Sequence, residues 1–190
     1  MIKDLPRRLS WFMWHGLLIL CVVGFLVWVF DQNIPVAGTK ILTYNFKDLS
    51  GAFSELYPRD RVAPDDEQTK DLKVKRITED PVYFDVRTRM PYERATLRVE
   101  YQNTTSREVS LGIRIPGQEW KTALNRDGKR SKQGEWEVIE SSFDLSKIPL
   151  HQNKYTFVIS IPGMEYDKPE IGSLLASRAV VTLQRKSLLQ

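Results

Sequence analysis

Apolar and polar positions along this chain follow two different rules. Between Trp11 and Phe30 (WFMWHGLLILCVVGFLVWVF) there is no charge and a single polar side chain, His15. From Thr39 onward the sequence breaks into short alternating runs. Leu42, Tyr44 and Phe46 alternate with Ile41 and Thr43, Val82, Phe84 and Val86 with Tyr83, Asp85 and Arg87, and Leu97, Val99 and Tyr101 with Arg98, Glu100 and Gln102. Val109, Leu111, Ile113 and Ile115 interleave with Ser110, Gly112 and Arg114. Tyr155, Phe157, Ile159 and Ile161 interleave with Thr156, Val158 and Ser160. A period of two with β-branched and aromatic enrichment predicts half-buried strands, because successive strand side chains point to opposite faces. Weaker strand signals lie near 72–77, 119–124, 135–145 and 178–186. Turn chemistry separates the runs at Glu79-Asp80-Pro81, Asn103-Thr104-Thr105, Pro116-Gly117, Asp127-Gly128, Lys132-Gln133-Gly134 and Pro162-Gly163. No stretch after the apolar run sustains a helical period. About seven to nine short strands at this spacing predict an all-β domain, a single antiparallel β-sandwich of jelly-roll or immunoglobulin-like type.

The apolar run answers to a lipid bilayer. At about 1.5 Å per residue its helix covers roughly 30 Å, the thickness of the hydrocarbon core, and only an internally paired backbone crosses that layer. Trp11, Phe12 and Trp14 stand at one end and Trp28 and Phe30 at the other, where aromatic rings favour the headgroup level. The run outlasts the about 7–15 apolar residues of a cleaved signal peptide. The next small pair, Ala37-Gly38, comes only after Asp31-Gln32-Asn33 and Pro35, and Leu20 is too large to precede a lipid-modified Cys21. The expectation is an uncleaved signal anchor: a cytoplasmic tail over 1–9, one transmembrane helix over 10–30 and an extracytoplasmic domain over 31–190. Lys3, Arg7 and Arg8 precede the span, whereas Asp31 follows it and no basic residue appears until Lys40. Basic residues stay on the cytoplasmic side, which puts the tail inside and the β-domain outside a cell membrane crossed once.

Charge adds little to this picture. The chain has 28 basic and 24 acidic residues, and three and one of these precede the span, leaving 25 against 23 beyond it. That balance excludes a nucleic-acid footprint. The only cysteine, Cys21, lies within the apolar run, so the β-domain has neither disulfide nor thiol chemistry. With two histidines in the chain, His15 in the span and His151 in a polar turn, a tetrahedral zinc or copper site is excluded. No cofactor is expected; loop acids such as Asp127 or Asp144 leave room for calcium, but without EF-hand spacing.

Two stretches depart from the strand pattern. Lys47–Asp71 (KDLSGAFSELYPRDRVAPDDEQTKD) reads as a long charged loop pinned by Phe53, Leu56 and Tyr57, and connections of this length are functional or disordered. Gly163–Ser177 is polar and then apolar at Leu174-Leu175, suited to covering one end of the sandwich. Neither carries a catalytic arrangement. His151 has no nucleophile partner in sequence, no phosphate loop or Gly-x-Ser-x-Gly is present, and Asp65-Asp66-Glu67 reads as a solvating cluster. The expectation is no enzyme, with glycoside hydrolysis by loop carboxylates as the catalytic alternative. Asn103-Thr104-Thr105 forms a glycosylation acceptor triplet.

Aromatic side chains are the candidates for binding, since their faces stack on sugars and on partner surfaces. Trp120 follows the Pro116-Gly117 turn beside Glu119 and Lys121 and is the more exposed candidate. Trp136 shares parity with Val138, while Ile139, Phe143 and Leu145 take the other parity. Either a β-bulge resets the register near 138–139 or one set is exposed. Average Trp burial favours a core Trp136.

The run Gly134-Glu135-Trp136 through Ser142-Phe143-Asp144-Leu145-Ser146 resembles the G-x-W … F-D-L-S passage of jelly-roll carbohydrate-binding modules. Ala179-Val180-Val181-Thr182-Leu183 is similar to their closing strand and Val99-Glu100-Tyr101-Gln102-Asn103 to an inner one. With the anchor, the whole chain is similar to single-span bacterial membrane proteins. The resemblance implies a jelly roll, a Trp136 that is often structural in such modules, and no catalytic residue. Together these readings lead to a membrane-anchored binding or structural module outside the cytoplasmic membrane. Its partner beside the lipid bilayer is a glycan or cell-envelope polymer, or alternatively an envelope protein assembly on which it docks as an accessory subunit.

Overall fold

The computed structural model describes residues 14–26, 38–46, 51–64, 74–105, 107–118, 122–125, 127–164 and 172–185. The chain divides into two compact units, Met1–Gly38 and Thr39–Gln190. The first contains a helix over residues 14–26 whose side chains, Trp14 and Phe25 among them, are exposed. Among the described residues no helix is long and apolar enough to cross a membrane. Of the expected span over 10–30, residues 14–26 are described and are helical, and Lys3, Arg7, Arg8, Trp11, Trp28 and Phe30 lie outside the described residues.

Among the described residues the second unit has ten strands: β1 (Thr39–Asn45), β2 (Lys75–Ile77), β3 (Val82–Arg87), β4 (Arg94–Asn103), β5 (Ser110–Arg114), β6 (Thr122–Asn125), β7 (Lys129–Gln133), β8 (Trp136–Asp144), β9 (Lys154–Ser160) and β10 (Leu174–Gln184). One sheet runs β1-β10-β4-β8-β7, with β2 also on β10, and the other runs β3-β9-β5-β6. Every pairing is antiparallel. The inner positions are those the alternation selects. Ala95, Leu97 and Val99 of one sheet and Val82, Phe84, Phe157 and Ile159 of the other join one core cluster. Aromatic rings bridge the sheets: Tyr44 meets Phe84 at 5.8 Å and Phe143 meets Phe157 at 6.0 Å between centroids.

Strand β10 is longer than its pattern suggested, beginning at Leu174 inside the stretch expected to cap the sandwich. The reason is a register shift between Ala176 and Arg178 against β4. Leu174 and Ala176 are buried before it and Ala179, Val181 and Leu183 after it, so the inward parity changes at one residue. A bulge lets one strand keep the same face buried on both sides of the shift. It also hides the strand from a search for strict alternation. β2 pairs with the first part of β10 and β1 with the rest.

The long connection after β1 is ordered where it is described. Phe53 and Leu56 are buried, and Phe53 bridges Val86 while Tyr57 bridges Tyr83, so residues 52–57 run along β3 and extend the smaller sheet. Val62 then bridges Ile77 of β2 in the other sheet. The segment therefore laces the two sheets together on one side, the backbones of Ala52, Ser54 and Tyr57 bonding to β3 and that of Ala63 to β2.

β7, with the sequence KRSKQ, had no alternation to announce it and is exposed throughout. Charged side chains on an edge strand of this kind discourage pairing with another chain. It forms a hairpin with β8 through Gly134-Glu135, where Gly134 takes φ +66° at the first turn position, as a two-residue turn of type II′ requires. β8 contains no bulge along its pairing with β4, so the expected choice at 138–139 resolves into two faces. Ile139, Ser141 and Phe143 point to the core, and Trp136, Val138, Glu140 and Ser142 share the opposite face. Trp136 is half-buried there, which corrects the expectation of a core residue: its parity puts it on the face opposite Ile139 and Phe143. Trp120 lies outside the described residues.

Candidate functional site

The outer face of the β3-β9-β5-β6 sheet brings together side chains whose alternation marked them as the polar half of their strands. Asp85 of β3 lies opposite Thr156 of β9, and Arg87 opposite Lys154. Tyr83 lies opposite Val158, and Tyr57 from the lacing segment bridges Tyr83 and stacks on it with ring centroids 5.6 Å apart and planes at 24°.

Asp85 is the centre of this face. It is buried although charged, and three donors surround its carboxylate: the Tyr57 hydroxyl donates to Oδ1 at 2.9 Å, the Thr156 hydroxyl to Oδ1 at 2.6 Å and the Lys154 ammonium to Oδ2 at 2.7 Å. The Asp85 backbone N–H donates to Ser54 Oγ at 2.8 Å. Burial alone raises the carboxyl, but the hydrogen bonds from Lys154, Thr156 and Tyr57 outweigh it and hold Asp85 below its ordinary range. Burial, joined by the Asp85 charge and against the opposing hydrogen bond from Thr156, leaves the Tyr57 phenol pushed up to about 12.

Beside this cluster lies a cleft of about 270 Å³. Tyr57, Tyr155 and Thr156 line it together with Arg114 at the end of β5, the Pro116-Gly117 turn and the turn 151–154. The latter turn holds its shape through two residues with positive φ, Gln152 at 50° and Asn153 at 59°. The Lys154 N–H closes it on the His151 carbonyl at 3.0 Å, and the Thr88 N–H donates to the Asn153 carbonyl at 2.8 Å. A non-glycine residue such as Gln152 in that region carries backbone strain, which here directs the 151–154 turn along the cleft.

The sequence marks Tyr57 only as a residue pinning the long loop, and Asp85, Arg114 and Thr156 only as outward positions of alternating strands; nothing in it marks Lys154. His151, read as an isolated turn residue, lines the cleft. Trp136 belongs to the other sheet and does not line it. The stretch holding Trp120 continues directly from Gln118 of the cleft wall. Among the described residues no group of three or more His, Cys, Asp or Glu side chains is placed to hold a metal ion. The glycosylation triplet is folded into its own turn: Asn103 Nδ2 donates to the Arg107 carbonyl at 2.8 Å and Asn103 Oδ1 accepts from the Thr105 N–H at 2.9 Å.

No protein-family model matches the chain, and no curated protein matches it. Among solved structures it is similar to the CBM22-1 xylan-binding domain of Paenibacillus barcinonensis Xyn10C, with 9% identity over 80% of this chain and 99% of that domain and a TM-score of 0.47. It is also similar to the mannan-recognising carbohydrate-binding module TmCBM27, with 7% identity over 78% of this chain and 99% of that one and a TM-score of 0.34. The enzymatically active domain of tailspike protein 4 of bacteriophage CBA120 shares 11% identity over 77% of this chain and 19% of its own, at a TM-score of 0.36. These likenesses are distant, and the functional reading rests on the cleft.

Proposed function

We propose that this chain is a membrane-anchored, extracytoplasmic carbohydrate-binding module of jelly-roll type, without catalytic activity, that takes a glycan or cell-envelope polymer at the cleft beside β9. The observation that carries the reading is the meeting of the Tyr57 ring with a ready-made hydrogen-bonding floor in one cleft. Sugars present apolar ring faces and a fringe of hydroxyls, so an aromatic face beside fixed polar groups is the chemistry that holds them. The jelly-roll assignment is supported by the first and last strands, β1 and β10, lying side by side. The anchor is supported by the uncharged run Trp11–Phe30 and its aromatic ends, and the orientation by Lys3, Arg7 and Arg8. The absence of catalysis is supported by Asp85, whose two carboxylate oxygens are already engaged by Tyr57, Thr156 and Lys154.

The test is affinity electrophoresis of the full chain in detergent micelles against a panel of plant and bacterial polysaccharides. At least one polymer should retard the protein, and Tyr57→Ala should remove most of the retardation while Trp136→Ala keeps it. Retardation by none overturns the reading; loss with Trp136→Ala instead would move the site to the outer face of the larger sheet. A second reading, docking as an accessory subunit, is favoured by one observation: Ile41 is 67% exposed on the edge strand β1. That reading gains if Ile41→Lys changes the protein's size in a co-purified envelope complex while polysaccharide retention is unaffected.

A further inference from the structure

All three side-chain donors on the Asp85 carboxylate line the cleft, and Asp85 itself does not. The acid stands one layer behind the wall, and through it the wall side chains acquire fixed directions. Tyr57 is pinned by two backbone bonds, its N–H donating to the Tyr83 carbonyl at 2.9 Å and its carbonyl accepting from the Tyr83 N–H at 2.7 Å. The direction of its ring is then set by the hydroxyl on Asp85 Oδ1 and by the stacking on Tyr83. Tyr83 does not line the cleft, so the ring face turned away from it is the one a ligand can meet. Lys154 has a flexible four-carbon stem, and its bond to Oδ2 selects one of the stem's many rotamers. The Asp85 N–H on Ser54 Oγ holds the acid against the same segment that carries Tyr57.

An ionised carboxylate accepts hydrogen bonds and cannot donate them. The single proton of the Tyr57 hydroxyl is therefore turned to Oδ1, and the Thr156 proton is drawn to the same oxygen. Both hydroxyl oxygens are left with lone pairs, while the Lys154 ammonium keeps protons beyond the one on Oδ2. Two acceptors beside a cationic donor suit neighbouring sugar hydroxyls, each of which donates and accepts.

Resting on the carbohydrate-binding reading, we infer that Asp85 is the positioning residue of the cleft. Without touching the ligand, it fixes the Tyr57 ring, the Thr156 hydroxyl and the Lys154 ammonium where they meet adjacent hydroxyls of a sugar.

The experiment is a set of double-mutant cycles read by affinity electrophoresis of the full chain in micelles. Soluble xylan, galactomannan and hydroxyethyl cellulose are the first matrices, followed by the wider panel, and the variants are run on a polymer that retards the wild type. Asp85→Asn keeps an acceptor for Tyr57 and Thr156 but drops the charge that holds Lys154, and should weaken retention about tenfold, as loss of one charge-assisted hydrogen bond does. Asp85→Ala drops the acceptor as well and should weaken it further. Because Asp85 acts through its donors, Asp85→Asn combined with Lys154→Met should bind no worse than Lys154→Met alone. In the same way Asp85→Ala combined with Tyr57→Phe should bind no worse than Asp85→Ala. Ile139→Val, a core change in the other sheet, lowers stability away from the cluster and should leave retention unchanged. Thermal unfolding verifies that each variant is folded at the temperature of the gel; if Asp85→Ala is not, the cycle of Asp85→Asn with Lys154→Met decides. Wild-type retention by Asp85→Asn, or losses that multiply in the double variants, overturns the positioning role and leaves the carbohydrate reading standing. A loss with Ile139→Val equal to that with Asp85→Asn assigns the effect to stability and overturns the role too. Retardation of the wild type by no polymer, or retardation undiminished by Tyr57→Ala, overturns both.

Discussion

The Tyr57 hydroxyl donates to Asp85 at 2.9 Å, and this bond ties the chain's long connection to the strand it borders. The same carboxylate takes the Lys154 ammonium and the Thr156 hydroxyl from β9. One buried acid therefore joins two neighbouring backbone segments, 52–57 and β9, to β3 and sets the shape of the cleft floor. Without those donors its burial would be costly, since an isolated charge removed from water is not stable in a protein interior.

Replacing Asp85 by Asn keeps the shape and removes the charge. Lys154 then loses its ion partner while its side chain remains two-thirds covered, at 32% exposure. The expected cost is about 2–3 kcal/mol of unfolding free energy, the range for a hydrogen-bonded charge left without its partner in a partly solvated place. Urea unfolding of the wild type and the variant measures it. A difference below about 0.5 kcal/mol, typical of a neutral surface change, would show that the cluster does not hold the fold.

The same group imposes an acid limit. Asp85 is held below its ordinary value of 3.8, so the folded state favours the ionised carboxylate more than the unfolded state does. Its contribution is complete above the unfolded value and is lost as pH falls through the folded one. Asp144 is also held low, chiefly by the Ser146 hydroxyl. The difference in stability between wild type and Asp85→Asn isolates the first group. That difference should be constant above about pH 5 and shrink steadily as pH falls below about 4, where the unfolded chain takes up the proton before the folded one does. A difference independent of pH down to acid unfolding would contradict the ionised cluster.

At the alkaline end tyrosines take over. Burial pushes the phenols of Tyr44, Tyr57 and Tyr101 up to about 12, with Glu55 adding to the effect on Tyr44 and Glu137 to that on Tyr101. A neutral phenol in the fold and an ionised one in the unfolded chain means that stability is full below pH 10 and falls as pH rises toward 12. These three, and Tyr155, whose phenol burial also raises, should ionise late in an absorbance titration of the native protein and at the ordinary value in denaturant. Tyr57→Phe should remove one late phenol, keep the stacking on Tyr83 and cost about 1 kcal/mol, the net worth of the hydrogen bond to Asp85.

The inward half of the fold was legible because alternation is enforced by burial: a strand that must hide Val82, Phe84 and Val86 has no freedom in the residues facing the core. The start of β10 was not, because the bulge at Ser177 splits one strand into two short runs of opposite parity. β7 escaped for a different reason: an edge strand exposed on both faces carries no hydrophobic pattern, and only its pairing with β8 makes it a strand. The cleft was the least legible part. Tyr57 and Asp85 are 28 positions apart, and Asp85 and Thr156 are 71 apart. Registers of this kind are set by the whole sheet and leave no local motif. The two Trp residues stand out in the sequence instead, because their chemistry is visible one residue at a time.

The orientation proposed for the chain has its own test. A reporter active only outside the cytoplasm, fused after Gln190, should be active, because Lys3, Arg7 and Arg8 keep the short segment before the apolar run inside. Changing all three to Gln should mix the two orientations and lower the reporter signal. An inactive reporter on the unmutated chain, with the protein present in the membrane fraction, would reverse the assignment.

Trp136 and Phe157 make a paired comparison of what each sheet face contributes. Phe157 is fully buried, stacks on Phe84 at 5.8 Å and meets Phe143 across the sandwich. Phe157→Ala leaves a cavity between two sheets that cannot collapse without breaking their registers, and should cost about 3–5 kcal/mol. Trp136 stands on the outward face of β8, half-buried, one residue beyond a Gly134-Glu135 turn. Truncating it uncovers apolar surface beside Val138 but opens no cavity, so the loss is a transfer cost reduced by the part already wet, about 1–2 kcal/mol. Gln133, its partner across the hairpin, keeps the turn in register without it. Denaturant unfolding of both variants in the full chain decides the matter. Equal losses would mean that Trp136 is packed as tightly as the core and that the outer face of β8 is covered by more of the chain than the turn and its neighbours supply.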